Sequence, residues 1–258
     1  TVTVRIGGGE DWNGFVQWSL GNGWSGMENL SLIPGTVGAA PVQNIGAYGL
    51  ELKDRFESLD AVDLTTGRTV TLDATVCHFG YRDSIFKHEL AGKSVITKVR
   101  LRLPRPWQPM LGYLELERKM TETGITTPDA RQVFDWICAV RRAKLPDPAV
   151  IGNAGSFFRN PVLPREHAEQ LAERHPTMPI YRDRARPEHV KIPAAWLIDQ
   201  CGWKGRRRGD SGVHSQHALV LVNYGEARGS DIQALANDIR ASVAERFDVL
   251  LEPEVVIV

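Results

Sequence analysis

The sequence predicts an α+β protein in two parts. Short strand-like runs broken by glycine-rich turns fill residues 1 to about 110, and residues at helical spacing dominate the second half between further strand runs. Its 258 residues suffice for one large domain or two ordinary ones, and 42% hydrophobic with 24% charged content is ordinary for a globular chain.

Residues 1–6 alternate as a strand does, and Gly7, Gly8 and Gly9 follow at once. Residues 11–20 read as a short helix. Residues 58–64 and 68–72 flank Thr65-Thr66-Gly67 as a hairpin, and 93–103 form another strand with Val95, Ile96, Val99, Leu101 and Leu103 as its apolar content. Residues 117–127 hold few apolar anchors and read as a connector. A helix is expected from Thr127 as N-cap with Pro128 in its first turn, its apolar positions being Val133, Trp136, Ile137 and Val140. It should end before Pro146, with Arg141, Arg142 and Lys144 near its negative pole. Further helices are expected at 165–174, at 194–200 before Gly202, and from Ser230 to residue 247 along the stripe Ile232, Leu235, Ile239 and Val243. Strands are expected at 218–223 and 250–258.

Lys+Arg and Asp+Glu are both 31, so no dominant basic field marks a nucleic-acid or membrane-surface binder. No apolar run has the length of a membrane span or the pattern of a signal peptide. Lys204-Gly205-Arg206-Arg207-Arg208 is a local exception, read as a solvated loop or a patch for an anionic small molecule. Cys77, Cys138 and Cys201 are odd in number and far apart, which points to a reducing, cytoplasmic setting without a disulfide framework.

The most informative stretch is Gly152-Asn153-Ala154-Gly155-Ser156-Phe157-Phe158, one hydroxyl set between glycines and an aromatic pair. Such a serine is either a turn cap or a proton donor beside a tightly held ligand. Pro34-Gly35-Thr36-Val37-Gly38-Ala39-Ala40 and Asn44-Ile45-Gly46-Ala47-Tyr48-Gly49 hold small residues where a ligand could lie on the backbone, without either nucleotide-loop fingerprint. Arg82, after Tyr81, offers a fork of donors suited to a carboxylate or a developing oxyanion. His214 and His217 lack accompanying ligands at metal spacing, and Ser156 lacks the G-x-S-x-G elbow of a serine hydrolase, so neither a metal site nor that chemistry is expected. Glu252 and Glu254 flank Pro253 in an otherwise apolar terminal run.

Taken in order, the segments 28–49, 79–88, Lys144-Leu145-Pro146-Asp147-Pro148, 152–161, Trp196-Leu197-Ile198-Asp199-Gln200 and Leu251-Glu252-Pro253-Glu254-Val255 resemble the UDP-N-acetylenolpyruvoylglucosamine reductases, flavoenzymes of peptidoglycan precursor synthesis. The resemblance covers almost the whole chain. It implies part of a PCMH-type FAD-binding domain at 1–125, lacking the family's N-terminal subdomain with its glycine-serine-asparagine loop. A C-terminal α+β substrate-binding domain at 126–249 and a terminal strand at 250–258 carrying Glu254 would follow. It further implies Ser156 as proton donor to C2 of the enolpyruvyl group, with Arg82 and Glu254 stabilising the enolic intermediate. Tyr81, Tyr113, Lys144, Asn160, Tyr181 and His217 would surround the substrate or nicotinamide. Pro34, Gly35, Thr36, Gly38, Ala39, Ala40, Asn44, Gly46, Ala47 and Gly49 would hold FAD. The implied reaction is NADPH-dependent, on a nucleotide-sugar substrate, by a monomer without nucleic-acid or membrane partners. A non-catalytic nucleotide-sugar binding fragment and another FAD oxidoreductase on the same scaffold are the alternatives.

Overall fold

The computed structural model describes residues 1–183 and 186–257. Packing divides the chain into two units, Thr1–Arg141 and Arg142–Val258.

In the first unit, β1 (Val2–Gly7) leads into α1 (Trp12–Gly21), which Asp11 caps by accepting the Gly14 N–H. The short β2 (Gly46–Ala47) and β3 (Leu50–Glu51) form a two-stranded ribbon. β4 (Phe56–Asp63) and β5 (Thr69–Asp73) make the expected hairpin, followed by α2 (Ala74–Cys77) and β6 (Ser94–Leu103). The main sheet is antiparallel in the order β1-β6-β4-β5. Val4, Ile6, Leu59, Ala61, Val99, Leu101 and Leu103 are buried on it beneath Trp12, Phe15 and Val16 of α1, the period-2 and helical faces meeting as their spacing dictates. Asp60 is buried here, and Arg100 grips both its oxygens at 2.8 Å while Thr71 donates to one of them.

Two sequence expectations fail in this region. The stretch read as a connector, 117–127, is largely taken up by α3 (Leu114–Thr123), which begins before it and is closed by Gly124 in the left-handed conformation. Its single buried anchor, Leu116, packs with Val133 and Ile137, so one residue does what the pattern lacked. Helix α4 (Ala130–Lys144) starts after Thr127 and Pro128, because Asp129 accepts from the Gln132 N–H while the Gln132 side chain accepts from the Asp129 N–H. Phe134 and Cys138 of α4 pack in the first unit's core, although the expected boundary after residue 125 would place α4 with the second.

The second unit opens with β7 (Gly152–Ser156), β8 (Val162–Pro164) and α5 (Arg165–Arg174). β9 (Tyr181–Arg182), β10 (His189–Lys191) and α6 (Ala194–Gln200) follow, then β11 (Arg207–Arg208), β12 (Ser211–Val213), β13 (Val220–Asn223) and α7 (Gly229–Phe247). Two antiparallel sheets result, β8-β10-β9 and β11-β12-β13-β7. The α7 stripe is core, with Leu235, Ile239 and Val243 buried against Leu197 and Ile198 of α6 and Val213 and Leu221 of the sheet. The run at 250–258 is not the strand expected, and Val258 lies outside the described residues. It makes one isolated bridge, Phe158 to Pro253, because proline has no N–H with which to extend a ladder. Among the described residues, no helix is long and apolar enough to cross a membrane.

Ile239→Ala should cost about 2–5 kcal/mol, the usual penalty for truncating a fully buried aliphatic residue, measured as a drop in denaturant midpoint. Asp60 should show a pH signature. The Arg100 hydrogen bonds hold its carboxyl below its ordinary value. The pair's contribution is therefore complete above the unfolded carboxylate value of about 3.9, and is lost as pH falls through the lower folded value. Asp60→Asn should accordingly destabilise the chain more at pH 7 than at pH 3, and equal losses at both pH values would contradict this account.

Candidate functional site

Residues 33–49 form one continuous loop laid across the end of the main sheet. The Gly8 N–H donates to Thr97 O at 2.7 Å and the Gly38 N–H donates to Gly8 O at 2.8 Å, so three backbones cross in contact. A Cβ on Gly38 would lie 2.9 Å from both Gly8 O and Ile96 O, closer than real side chains approach. Val37 and Ala40 are buried, whereas Pro34, Gly35, Thr36 and Ala39 are exposed, so the loop presents small groups outward. A cavity of about 450 Å³ opens here, lined by Gly8, Gly9, Thr36, Gly38, Ser94 and Ile96 among others. Ser94 Oγ is buried on it without a hydrogen-bond partner. Glycine walls and an unanswered hydroxyl fit a flat, hydrogen-bonding group such as part of FAD. Gly8, Gly9, Ser94 and Ile96 were missed from sequence. The triple glycine was visible, but its meeting with a β6 serine was not.

The second half of the loop is tied down by Asn44. Its fully buried side chain donates to Gly80 O at 2.8 Å and to Glu51 Oε2 at 3.0 Å, and accepts from the Lys53 N–H. Asn44 thus holds the loop, and any ligand contact it makes would come from its backbone. Gly46, Ala47 and Gly49 follow, with Gly46 O accepting from Arg82 Nη2 at 2.7 Å. A Cβ on Gly46 would meet Arg82 Nη1 at 2.9 Å, so this glycine makes room for the guanidinium. Arg82 has a positive φ of 56° in the Gly80–Asp83 turn and lies over the Tyr81 ring, 5.2 Å from its centroid. It is half-buried.

Arg141 of α4 belongs to the same surroundings. Burial pulls its guanidinium below its ordinary value, while Tyr48, hydrogen-bonded to it, opposes that shift and Arg82 adds to it. Burial pushes the Tyr48 phenol up against the lowering field of Arg141. Tyr48 meets Tyr113 edge-on with ring centroids 5.2 Å apart. The structure therefore brings Arg82, Tyr81, Tyr113 and the glycine loops into the first unit.

In the second unit, Ser156 ends β7 opposite Val220 of β13. Gly155 precedes it at φ 73°, a conformation that suits glycine, and Ser156 is half-buried while Phe157 and Phe158 are buried in the core. The Phe157 N–H donates to Leu219 O at 2.8 Å, and Phe157 O accepts from the Glu254 N–H at 2.8 Å. Ser156 and Glu254, distant in sequence, are thus carried on adjacent strands of backbone. Asn160 Oδ1 accepts from the Ala194 N–H at the start of α6, which leaves its NH₂ to donate. His217 Nδ1 accepts from the Leu219 N–H, which fixes Nε2 as the protonated nitrogen of the neutral ring. Tyr181 sits exposed on β9 opposite Lys191. Lys144 is the last residue of α4 and is half-buried.

The basic run is a set of paired groups. Arg206 stacks on Trp203 and Arg207 on Tyr224, Arg207 and Arg208 pair with Asp210 and Asp238, and Lys204 lies 4.0 Å from Asp199. Stacked or ion-paired in this way, the run forms a braced surface loop.

Comparison with known proteins adds to this geometry. Residues 147–258 match the family model described as UDP-N-acetylenolpyruvoylglucosamine reductase, C-terminal domain, and residues 1–73 match one described as FAD binding domain. The chain is 56% identical over 256 residues to the UDP-N-acetylenolpyruvoylglucosamine reductase of Bordetella pertussis (strain Tohama I), which spans 99% of this chain and 72% of that protein. It is 55% identical over 253 residues to the enzyme of the same name from Paraburkholderia xenovorans (strain LB400), spanning 97% and 72%. A crystal structure of UDP-N-acetylenolpyruvylglucosamine reductase from Thermus caldophilus is similar at a TM-score of 0.63 and 26% identity, over 97% of this chain and 71% of that one.

Gly38→Ala should cost about 1–3 kcal/mol through forced separation of the crossing backbones. It should also lower flavin retention, read from visible absorbance after gel filtration with added FAD. Wild-type retention in the variant would detach the crossing from the cofactor.

Proposed function

The chain belongs to the UDP-N-acetylenolpyruvoylglucosamine reductase family, and on that premise we propose that it reduces UDP-N-acetylglucosamine enolpyruvate to UDP-N-acetylmuramate with NADPH in the cytoplasm. The observation that supports this reading is the backbone stitch from Phe157 to Leu219 and Glu254, which joins the main chain beside Ser156 to the main chain at Glu254.

FAD, when bound, supplies a hydride relay from NADPH to C3 of the enolpyruvyl group. The glycine loops of the first unit, with Thr36 and Ser94, are the residues that would hold it. Reduction of the vinyl ether adds hydride at C3 and a proton at C2, and negative charge builds on the substrate carboxylate between the two events. Arg82 supplies a preorganised guanidinium for that charge, its position set by Gly46 O rather than by the substrate. Ser156 Oγ delivers the proton to C2. A serine hydroxyl is a weak acid, so its contribution depends on a fixed geometry and on neighbours that polarise it. Glu254 takes the role that its motif has in the family, stabilising the enolic form. The Asn160 NH₂, the His217 Nε2–H and the Lys144 ammonium are donors suited to the diphosphate and sugar oxygens of the substrate. The phenols Tyr81, Tyr113 and Tyr181 take the substrate-binding roles that the family's motifs imply for them.

Ser156→Ala should slow enolpyruvyl reduction by a factor on the order of 10²–10⁴ while NADPH still bleaches bound FAD at the parent rate. Stopped-flow absorbance follows both half-reactions separately. Parent-like turnover of the enolpyruvyl substrate by this variant would remove Ser156 from the chemistry.

A further inference from the structure

We infer that Tyr48 is a positioning residue for Tyr113, setting the substrate-side tyrosine from the loop that cradles the cofactor. The inference rests on the reading of Tyr113 as a substrate-binding residue. Tyr48 is held at three points. Its carbonyl accepts from Asn29 Nδ2 at 2.8 Å, and the same amide donates to Met110 O at 3.0 Å, so one buried asparagine ties the loop to the segment leading into Tyr113. Its phenol is hydrogen-bonded to the half-buried Arg141. Its ring meets Tyr113 edge-on, with planes at 72°. Tyr113 in turn heads α3, its carbonyl accepting from the Leu116 and Glu117 N–H groups.

The backbone supplies a second argument. Tyr48 adopts φ 47°, a left-handed conformation in which a bulky side chain is disfavoured, and the next residue, Gly49, is also positive at 84°. Glycine would meet the backbone requirement at position 48 with less strain. A large aromatic there persists because the ring itself is needed, and its contacts lead to Tyr113. The half-buried ring also touches the cluster of Leu116, Val133 and Ile137, so it fixes the start of α3 as well as the Tyr113 ring. A purely structural role would lower stability and affect every kinetic constant alike. A positioning role would act on substrate affinity, and only through Tyr113.

The test is a double-mutant cycle on the FAD-loaded enzyme. Tyr48→Phe keeps the ring and should leave KM for the enolpyruvyl nucleotide sugar within about twofold of the parent, and Tyr48→Gly, which suits the local φ, should raise it roughly tenfold. The rate of FAD reduction by NADPH should not change in either. In a Tyr113→Ala background, Tyr48→Gly should add less than about twofold. Additive effects in the cycle, or an equal loss in flavin reduction, would overturn the inference. Hydrogen exchange reports without substrate: Tyr48→Gly should speed exchange of the Leu116 and Glu117 amides about tenfold and Tyr48→Phe should not. Unchanged exchange in Tyr48→Gly would also overturn it. An inactive parent enzyme would instead count against the proposed reaction, and the exchange result would still decide the role of Tyr48.

Discussion

Three backbones meet where Gly8, Gly38 and the Ile96–Thr97 step of β6 cross, at distances that admit no Cβ on either glycine. The first unit's candidate site depends on that crossing. It presses residues 33–49 onto the sheet end, which puts Asn44 within reach of Gly80 and Gly46 within reach of Arg82. A separation of even an ångström would break the 2.8 Å Gly38–Gly8 bond and free the loop to which the Arg82 guanidinium is fastened. Close backbone approach therefore does here what side-chain packing does in the core.

The second unit uses the main chain in a related way. Phe157 sends its N–H to Leu219 and receives the Glu254 N–H on its carbonyl, while its ring is buried beside that of Phe158. The main chain at Ser156 and Glu254 is thus positioned by backbone hydrogen bonds and two anchored aromatic rings.

The electrostatics of the first unit agree with an anionic ligand. Arg82 and Arg141 are close enough to repel, yet the groups that fix them include the carbonyls of Gly46 and Leu32, which accept without cancelling charge. Charge kept in a partly desolvated loop acts more strongly on a developing carboxylate than the same charge in water. The stacked and ion-paired arginines of residues 206–208 show the opposite arrangement, in which charge is spent on local structure.

Local patterns decided much of what the sequence could determine: the hairpin around Gly67, β6, α5, α6 and the apolar stripe of α7 follow from period and punctuation that each segment carries itself. The family's motifs likewise lie in contiguous stretches, which is why Ser156, Arg82 and Glu254 could be singled out. Tertiary structure alone decided the rest. Helix α3 is held by one buried leucine meeting residues of α4, α4 begins after a reciprocal Asp129–Gln132 cap just past the obvious proline, and the terminal run makes one bridge at Pro253 in place of a strand. Asn44 as a brace, Ser94 on the cavity wall and Tyr48 against Tyr113 all depend on contacts between residues far apart in the chain. A one-dimensional pattern records which residues prefer a helix or a turn, but not which distant partner will satisfy a buried hydrogen bond or occupy the space beside a ring.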